Sequence, residues 1–180
     1  TSGAAIASET DVLAYLLARQ PATYAAISAV LSEVKARCDF APGTLTDIGA
    51  GPGTASWAAI EAWPALERVA MIDSSAIFLD MARRLASGSP SRALASAATA
   101  LADVTRLPAD VVIASYALAE LPREALVRIA RALWASCTGL LVLVEPGTPE
   151  GYQRIMDCRA ALIAQGARIV APCPHAAPCP

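Results

Sequence analysis

Lysine is almost missing from this 180-residue chain: Lys35 stands alone among fourteen basic side chains, and the rest are arginine. With net charge −2 there is no global basic field to draw in DNA or RNA, so any RNA contact must be a local arginine patch. No uninterrupted apolar run approaches the roughly 18 residues of a membrane span, so no membrane partner is expected. The start, Thr1-Ser-Gly-Ala, has neither a charged n-region nor a signal-like apolar segment, and it lacks Met, which implies a fragment or a processed form. Cysteines fall at 38, 137, 158, 173 and 179, an odd and uneven set that argues against a secreted disulfide framework. A reducing, cytoplasmic compartment is the expectation, with the mitochondrial matrix as the alternative.

What is present is apolar and alternating. Hydrophobic residues make up 56% of the chain, a fraction inflated by alanine, and the length suits one domain with a real core. Residues 8–20 read as a helix with Ser8 as N-cap, Asp11 at the box position, and an apolar face of Val12, Leu13, Leu16 and Leu17. Pro21 opens a second helix to about Arg37, with Ile27, Val30, Leu31 and Val34 at helical spacing. This pair forms an N-terminal helical cap over residues 1–40. Strands are expected at 44–49, 67–73, 97–102, 110–115 and 139–145, with helices at 54–63, 75–87, 122–136 and 150–165. Apolar runs such as Val111-Val-Ile-Ala and Leu140-Leu-Val-Leu-Val144 suit a parallel sheet buried on both faces. Residues 41–180 therefore predict an α/β, doubly wound, mostly parallel sheet with its ligand at the carboxyl ends of the strands.

The stretch Asp47-Ile-Gly-Ala-Gly-Pro-Gly-Thr54 joins the first of these strands to a helix. Glycines at 49, 51 and 53 permit φ > 0 and leave no Cβ in a ligand's way, and the helix start behind them suits an anionic or polar group. The second strand ends at Asp73, 24 positions beyond Gly49, where a carboxylate can accept both hydroxyls of a ribose. Asp73 taken alone fits a helix N-cap equally well. The third strand ends near Asp103, which can accept a proton from an adenine amine, and the fourth at Ser115 and Tyr116. The nicotinamide fingerprint needs a third glycine at position 54, where threonine stands, so an oxidoreductase is disfavoured.

Asp47-x-Gly-x-Gly-x-Gly resembles the class I S-adenosylmethionine-dependent methyltransferases. That resemblance implies a glycine loop (Gly49, Gly51, Gly53) against the methionine part of the cofactor, Asp73 at the ribose and Asp103 at the adenine; Asp47, Ala50, Ser74, Val104, Ser115 and Tyr116 complete the expected cofactor-binding set. Ala114-Ser-Tyr-Ala-Leu-Ala-Glu-Leu-Pro122, Glu145-Pro-Gly-Thr-Pro149, Tyr15-Leu-Leu-Ala-Arg-Gln-Pro-Ala-Thr-Tyr24 and Ala171-Pro-Cys-Pro-His-Ala-Ala-Pro-Cys-Pro180 narrow it further. Together they resemble the methyltransferase-like family tied to the small ribosomal subunit, in bacteria and in mitochondrial ribosome assembly. The family implies that Cys173 and Cys179 are two ligands of a [4Fe-4S] cluster. Two thiolates do not complete a four-ligand set, so this chain by itself is expected to carry no cluster and to hold its last residues loosely. A short strand is expected at about 168–171, and Cys38, Cys137 and Cys158 are expected to pack on helices as small hydrophobes.

Catalysis leaves no comparable mark. Where amino-methylating relatives of this class carry Asn/Asp-Pro-Pro-Tyr/Phe, this chain has Ala114-Ser-Tyr-Ala117, and no cysteine stands there to attack a pyrimidine. Two readings follow: a methyltransferase-fold protein acting on small-subunit rRNA or assisting assembly of that subunit, or a non-catalytic assembly factor that binds cofactor and RNA. Arg123, Arg128 and Arg131, with Arg154 and Arg159, are the candidate RNA patch. A monomer is expected.

Overall fold

The computed structural model describes residues 8–87, the strand residues 94–98, and residues 108–179. Two helices, α1 (Glu9–Ala18) and α2 (Gln20–Arg37), precede the alternation β1 (Thr44–Ile48), α3 (Thr54–Ala62), β2 (Arg68–Asp73), α4 (Ala76–Ala86), β3 (Leu94–Ala98) and β4 (Ala109–Ser115). A 3₁₀ turn (Leu118–Glu120) leads to α5 (Arg123–Ser136), β5 (Cys137–Val144) and α6 (Pro149–Ile163). All strand pairs are parallel, in the order β3-β2-β1-β4-β5.

The sheet is sandwiched because its strands are apolar on both sides. On one face Leu45, Val69, Met71, Val111, Ile113, Val142 and Val144 pack with Ile27, Leu31 and Val34 of α2, the alanines of α3, and Leu79 of α4. On the other face Ile48, Ile72, Val112 and Ala114 pack with Leu126, Ile129 and Leu133 of α5 and Cys158 of α6. Each large side chain buried this way contributes about 1.5–3 kcal/mol, which makes these two layers the main source of stability. The lone lysine has a structural post here: Lys35 Nζ donates to the carbonyl of Ala62 (2.8 Å), at the negative end of α3.

The amino edge of the sheet is tied by Asp110. Its Oδ2 accepts the N–H groups of Gly43 (2.9 Å) and Thr44 (3.0 Å), and its Oδ1 accepts the Thr138 hydroxyl (3.1 Å). Burial raises the Asp110 pKa, but these bonds to the charged form outweigh it and leave the group below the ordinary range.

Most elements lie within two residues of their expected limits, and the departures have physical causes. β3 begins at Leu94, not 97, because the alanine-rich run around it offers no periodicity to fix a start. Residues 168–171 form no strand, since Pro172 and Pro174 interrupt the row of N–H donors that pairing would need. On α1 the capping box is formed, with Ser8 Oγ accepting from Asp11 N–H (3.2 Å) and Asp11 Oδ2 accepting from Ser8 N–H (2.9 Å). The inward face of that helix, however, is Val12, Tyr15 and Leu16, with Leu13 and Leu17 exposed. Of the three cysteines expected on helices, Cys158 is fully buried on α6, whereas Cys38 lies just beyond α2 and Cys137 opens β5.

Candidate functional site

From β1 the chain winds outward through β2 and β3, then returns to place β4 on the other side of β1. Helices therefore leave the carboxyl ends of β1 and β4 in opposite directions, and a crevice opens between those two tips.

Three positive-φ glycines shape the turn after β1, each for its own reason. A Cβ on Gly49 (φ +65°) would lie 2.5 Å from the Cβ of Ala117, in the loop after β4. On Gly53 (φ +89°) it would meet Met71 Cε at 2.7 Å. At Gly51 (φ +55°) the nearest atom to such a Cβ is Phe78 Cδ2 at 3.9 Å. Protein packing explains Gly49 and Gly53, whereas Gly51 is held by its backbone conformation beside open space.

The backbone donors of this turn are already engaged. Gly49 and Ala50 N–H donate to the Ile72 carbonyl (2.8 and 3.1 Å), and Gly53 N–H donates to Ala50 (2.8 Å). Gly51 N–H donates to Asp73 Oδ2 (2.7 Å), and Ser56 N–H to Asp47 Oδ2 (3.0 Å). Pro52 has no N–H. A ligand would therefore find the amides of Gly49, Ala50, Gly51, Gly53 and Ser56 occupied by protein carbonyls and carboxylates.

Asp73 holds the turn in place. Its second oxygen, Oδ1, accepts the Ser75 N–H at 2.7 Å. It does not cap α4; Ser75 does, its hydroxyl accepting the Phe78 N–H at 3.4 Å. A carboxylate oxygen accepts more than one hydrogen bond, so this half-buried group retains capacity for ligand hydroxyls.

Asp47 is 1% exposed. Besides the Ser56 N–H, its Oδ2 accepts the Ser56 hydroxyl (2.8 Å), while Oδ1 has no partner. Burial pushes the carboxyl up to about 7 against the opposing bonds from Ser56, and the charge of Asp73 adds to the rise. Two other buried oxygens without partners belong to the same face: Thr54 Oγ1, at the start of α3, and Ser115 Oγ, at the end of β4. Asp47 pairs in register with Ile113, so Ser115, two residues further along β4, shares its side of the sheet, the side on which α3 packs.

Of the other expected residues, Ala50 is buried, Ser74 is exposed, and Tyr116 takes the left-handed conformation (φ +58°), its N–H donating to the Val144 carbonyl (2.8 Å). Asp103 and Val104 lie outside the described residues. Sequence reasoning passed over three side chains here. Ser56 satisfies Asp47 and stands three positions into the glycine-led helix, which is a readable signal. Glu120 ends the 3₁₀ turn with its pKa raised by burial and by the charge of Asp73. Tyr15 of α1 packs edge-on against Phe78, with ring centres 5.2 Å apart.

Cys173 and Cys179 are both exposed, but their loop is pinned, which corrects the expectation of a loose end. Arg159 donates to the carbonyls of His175 (2.6 Å) and Ala177 (3.0 Å). The Cys179 side chain also bonds Tyr152 and raises its phenol pKa. Two members of the expected arginine patch are thus engaged elsewhere: Arg159 in this clamp, and Arg154 at Glu145 (2.7 Å), whose side chain is 1% exposed. Arg123 faces Asp157 at 3.8 Å, and Arg128 and Arg131 remain exposed on α5.

Strand order 3-2-1-4-5, a glycine turn after β1, and acids at the tips of β1 and β2 define the Rossmann-like fold of the class I methyltransferases. A solved precorrin-6y C5,15-methyltransferase from Geobacter metallireducens shares that fold, with a TM-score of 0.57 and 20% identity over 74% of this chain and 68% of that one. Within the class, this chain belongs to the family described as mitochondrial small ribosomal subunit Rsm22, whose model matches residues 9–180. It is similar to the human ribosome assembly protein METTL17, mitochondrial, with 34% identity over 186 residues, covering 93% of this chain and 41% of that protein. It is likewise similar to Rsm22-cox11 tandem protein 2, mitochondrial, of Schizosaccharomyces pombe, with 30% identity over 200 residues, covering 96% and 26%. This chain spans less than half the length of either relative.

No helix among the described residues is long and apolar enough to cross a membrane.

Proposed function

We propose that this chain binds S-adenosylmethionine at the tips of β1, β2 and β4 and serves assembly of the small ribosomal subunit, with small-subunit rRNA as its macromolecular partner. The observation that carries the cofactor reading is the trio of buried, unpartnered oxygens near the β1 and β4 tips, on the side of the sheet where α3 packs: Asp47 Oδ1, Thr54 Oγ1 and Ser115 Oγ. Buried polar groups without partners are rare and call for a ligand or a water. This set presents two hydroxyls, which can donate or accept, and a carboxyl whose pKa is pushed up to about 7. Asp73 is positioned for the two ribose hydroxyls. The cofactor supplies a methyl group on a sulfonium when bound, while the chain's own residues position it and keep water out.

The ribosomal and mitochondrial parts of the proposal rest on family membership and on the printed descriptions of the two relatives. They favour the mitochondrial matrix over the cytoplasm. A non-catalytic variant of the proposal is favoured by one observation: among the described residues, the loop after β4 offers Ser115 and Tyr116 but no amide or carboxylate clamp at the strand end itself. Cys173 and Cys179 fit half of an iron–sulfur ligand set. No group of three or more histidine, cysteine or acidic donors is gathered among the described residues, so no chemistry is built on a cluster here.

Calorimetric titration with S-adenosylhomocysteine, the stable demethylated product, tests the site. Asp73→Ala removes charge-assisted bonds worth about 1.5–3 kcal/mol each, so binding weakens by about 10- to 150-fold. Gly51→Val abolishes it, since a branched side chain both fills the open space and resists φ > 0. Unchanged affinity in a folded Asp73→Ala variant overturns the ribose assignment. Transfer of labelled methyl to small-subunit rRNA then separates enzyme from assembly factor.

A further inference from the structure

We propose that Tyr152 on α6 is a stacking platform for an unpaired base of single-stranded RNA; the proposal rests on the rRNA reading above and names a place on the surface where that RNA is held. Exposure singles this residue out. The chain has two phenylalanines, three tryptophans and four tyrosines, and every one except Tyr152 is buried or half-buried. Tyr152 is 49% exposed. The side of α6 that packs inward is Gly151, Cys158, Ala161 and Leu162, so the core does not call for an aromatic ring at position 152. The ring is also held before any partner arrives. Its hydroxyl bonds Cys179, and Arg159, two helical turns further along the same face, fixes the loop that carries Cys179 through the carbonyls of His175 (2.6 Å) and Ala177 (3.0 Å). A side chain ordered in advance loses less freedom on binding.

Charge points to the kind of partner. Residues 1–122 carry eight basic and twelve acidic side chains, a net −4, whereas residues 123–180 carry six arginines and four acids, a net +2. In that basic part Arg123, Arg128, Arg131 and Arg168 are exposed. Helices α5 and α6 lie on one side of the sheet, so the arginines of α5 and the ring of Tyr152 belong to one helical layer. A basic surface with an open aromatic ring suits a polyanion whose bases are free to stack, which is a single strand and not a duplex. An apolar protein partner is disfavoured at this place: among the described residues the other exposed large hydrophobics, Leu13, Leu17, Ile77 and Leu85, all stand on α1 and α4.

The test is fluorescence anisotropy of a labelled single-stranded oligoribonucleotide of small-subunit rRNA sequence, titrated with the whole chain at several salt concentrations. Tyr152→Ala and Tyr152→Leu should each weaken binding by about 5- to 150-fold, the worth of one stacked base, and leave the salt slope unchanged because the ring carries no charge. Tyr152→Phe keeps the ring, loses the bond to Cys179, and should bind like the wild type. A duplex of the same sequence, with its bases already stacked, should bind with no dependence on Tyr152. If the alanine and leucine variants, folded by their urea midpoints, bind as tightly as the wild type, the platform is wrong while the arginine patch on α5 stands. Loss of binding in Tyr152→Phe equal to that in Tyr152→Ala also overturns it, since the hydroxyl and not the ring would then matter. If the wild type ignores the RNA at every salt concentration, the rRNA reading fails and the platform falls with it.

Discussion

Asp47 and Asp110 stand on neighbouring central strands, and their surroundings drive them in opposite directions. Asp110, at the amino edge, is wrapped by donors that favour its charge. Asp47, near the carboxyl edge, is buried with one oxygen unpartnered, and its pKa rises to about 7. A folded-state pKa above the unfolded value of about 3.9 means that the native state binds the proton more tightly. The stability Asp47 contributes is therefore fully present below about pH 4 and is lost as pH rises toward about 7. Asp47→Asn, neutral throughout, should remove that slope: between pH 4.5 and 7.5 the wild type loses stability relative to the variant. Urea midpoints at four pH values check this, and parallel profiles would contradict the assignment. Family motifs made Asp47 a candidate site residue in the sequence, but nothing in the sequence showed that burial would push its pKa up to about 7.

Among the elements, α6 shows most plainly what a glycine can be for. Gly151 lies in its first turn, where a Cβ would collide with the Pro146 carbonyl, and its N–H donates to the capping Thr148 hydroxyl (3.1 Å). Alanine improves helix propensity by up to about 1 kcal/mol, whereas forcing a methyl into closed space costs about 1–3 kcal/mol. Gly151→Ala should thus give a net loss of up to about 2–3 kcal/mol in chemical denaturation, and a gain would show that the helix start yields freely. Element positions were mostly readable because period, caps and prolines agreed along the chain; Ser8 with Asp11 and Pro21 both open helices as expected. The elements the sequence misplaced lacked such marks: β3 lies in alanine, and 168–171 met prolines. The face α1 turns inward was also hidden. Val12, Leu13, Leu16 and Leu17 make as good a stripe as Val12, Tyr15 and Leu16, and only the partner surface on Phe78 decides between them.

For the molecule as a whole, net charge −2 and the engagement of Arg154 and Arg159 within the protein leave Arg123, Arg128 and Arg131 on α5 as the exposed members of the candidate patch, Arg123 facing Asp157 at 3.8 Å. Binding to small-subunit rRNA should be weak and steeply salt-dependent. The double variant Arg128→Ala, Arg131→Ala should flatten the log-affinity against log-salt slope by about 1.4, the share of two phosphate contacts on single strands. A slope unchanged by the variant would move the RNA surface away from α5. The topology has a further consequence, in time and not in space. Leu45 pairs with Val111, so the crevice is walled by strands that lie 66 positions apart along the chain. Contacts of such high order close late in folding, after local helices have formed. The buried trio near the β1 and β4 tips cannot exist in a half-folded chain, so binding of the proposed cofactor during refolding would be a clock for the joining of β1 to β4.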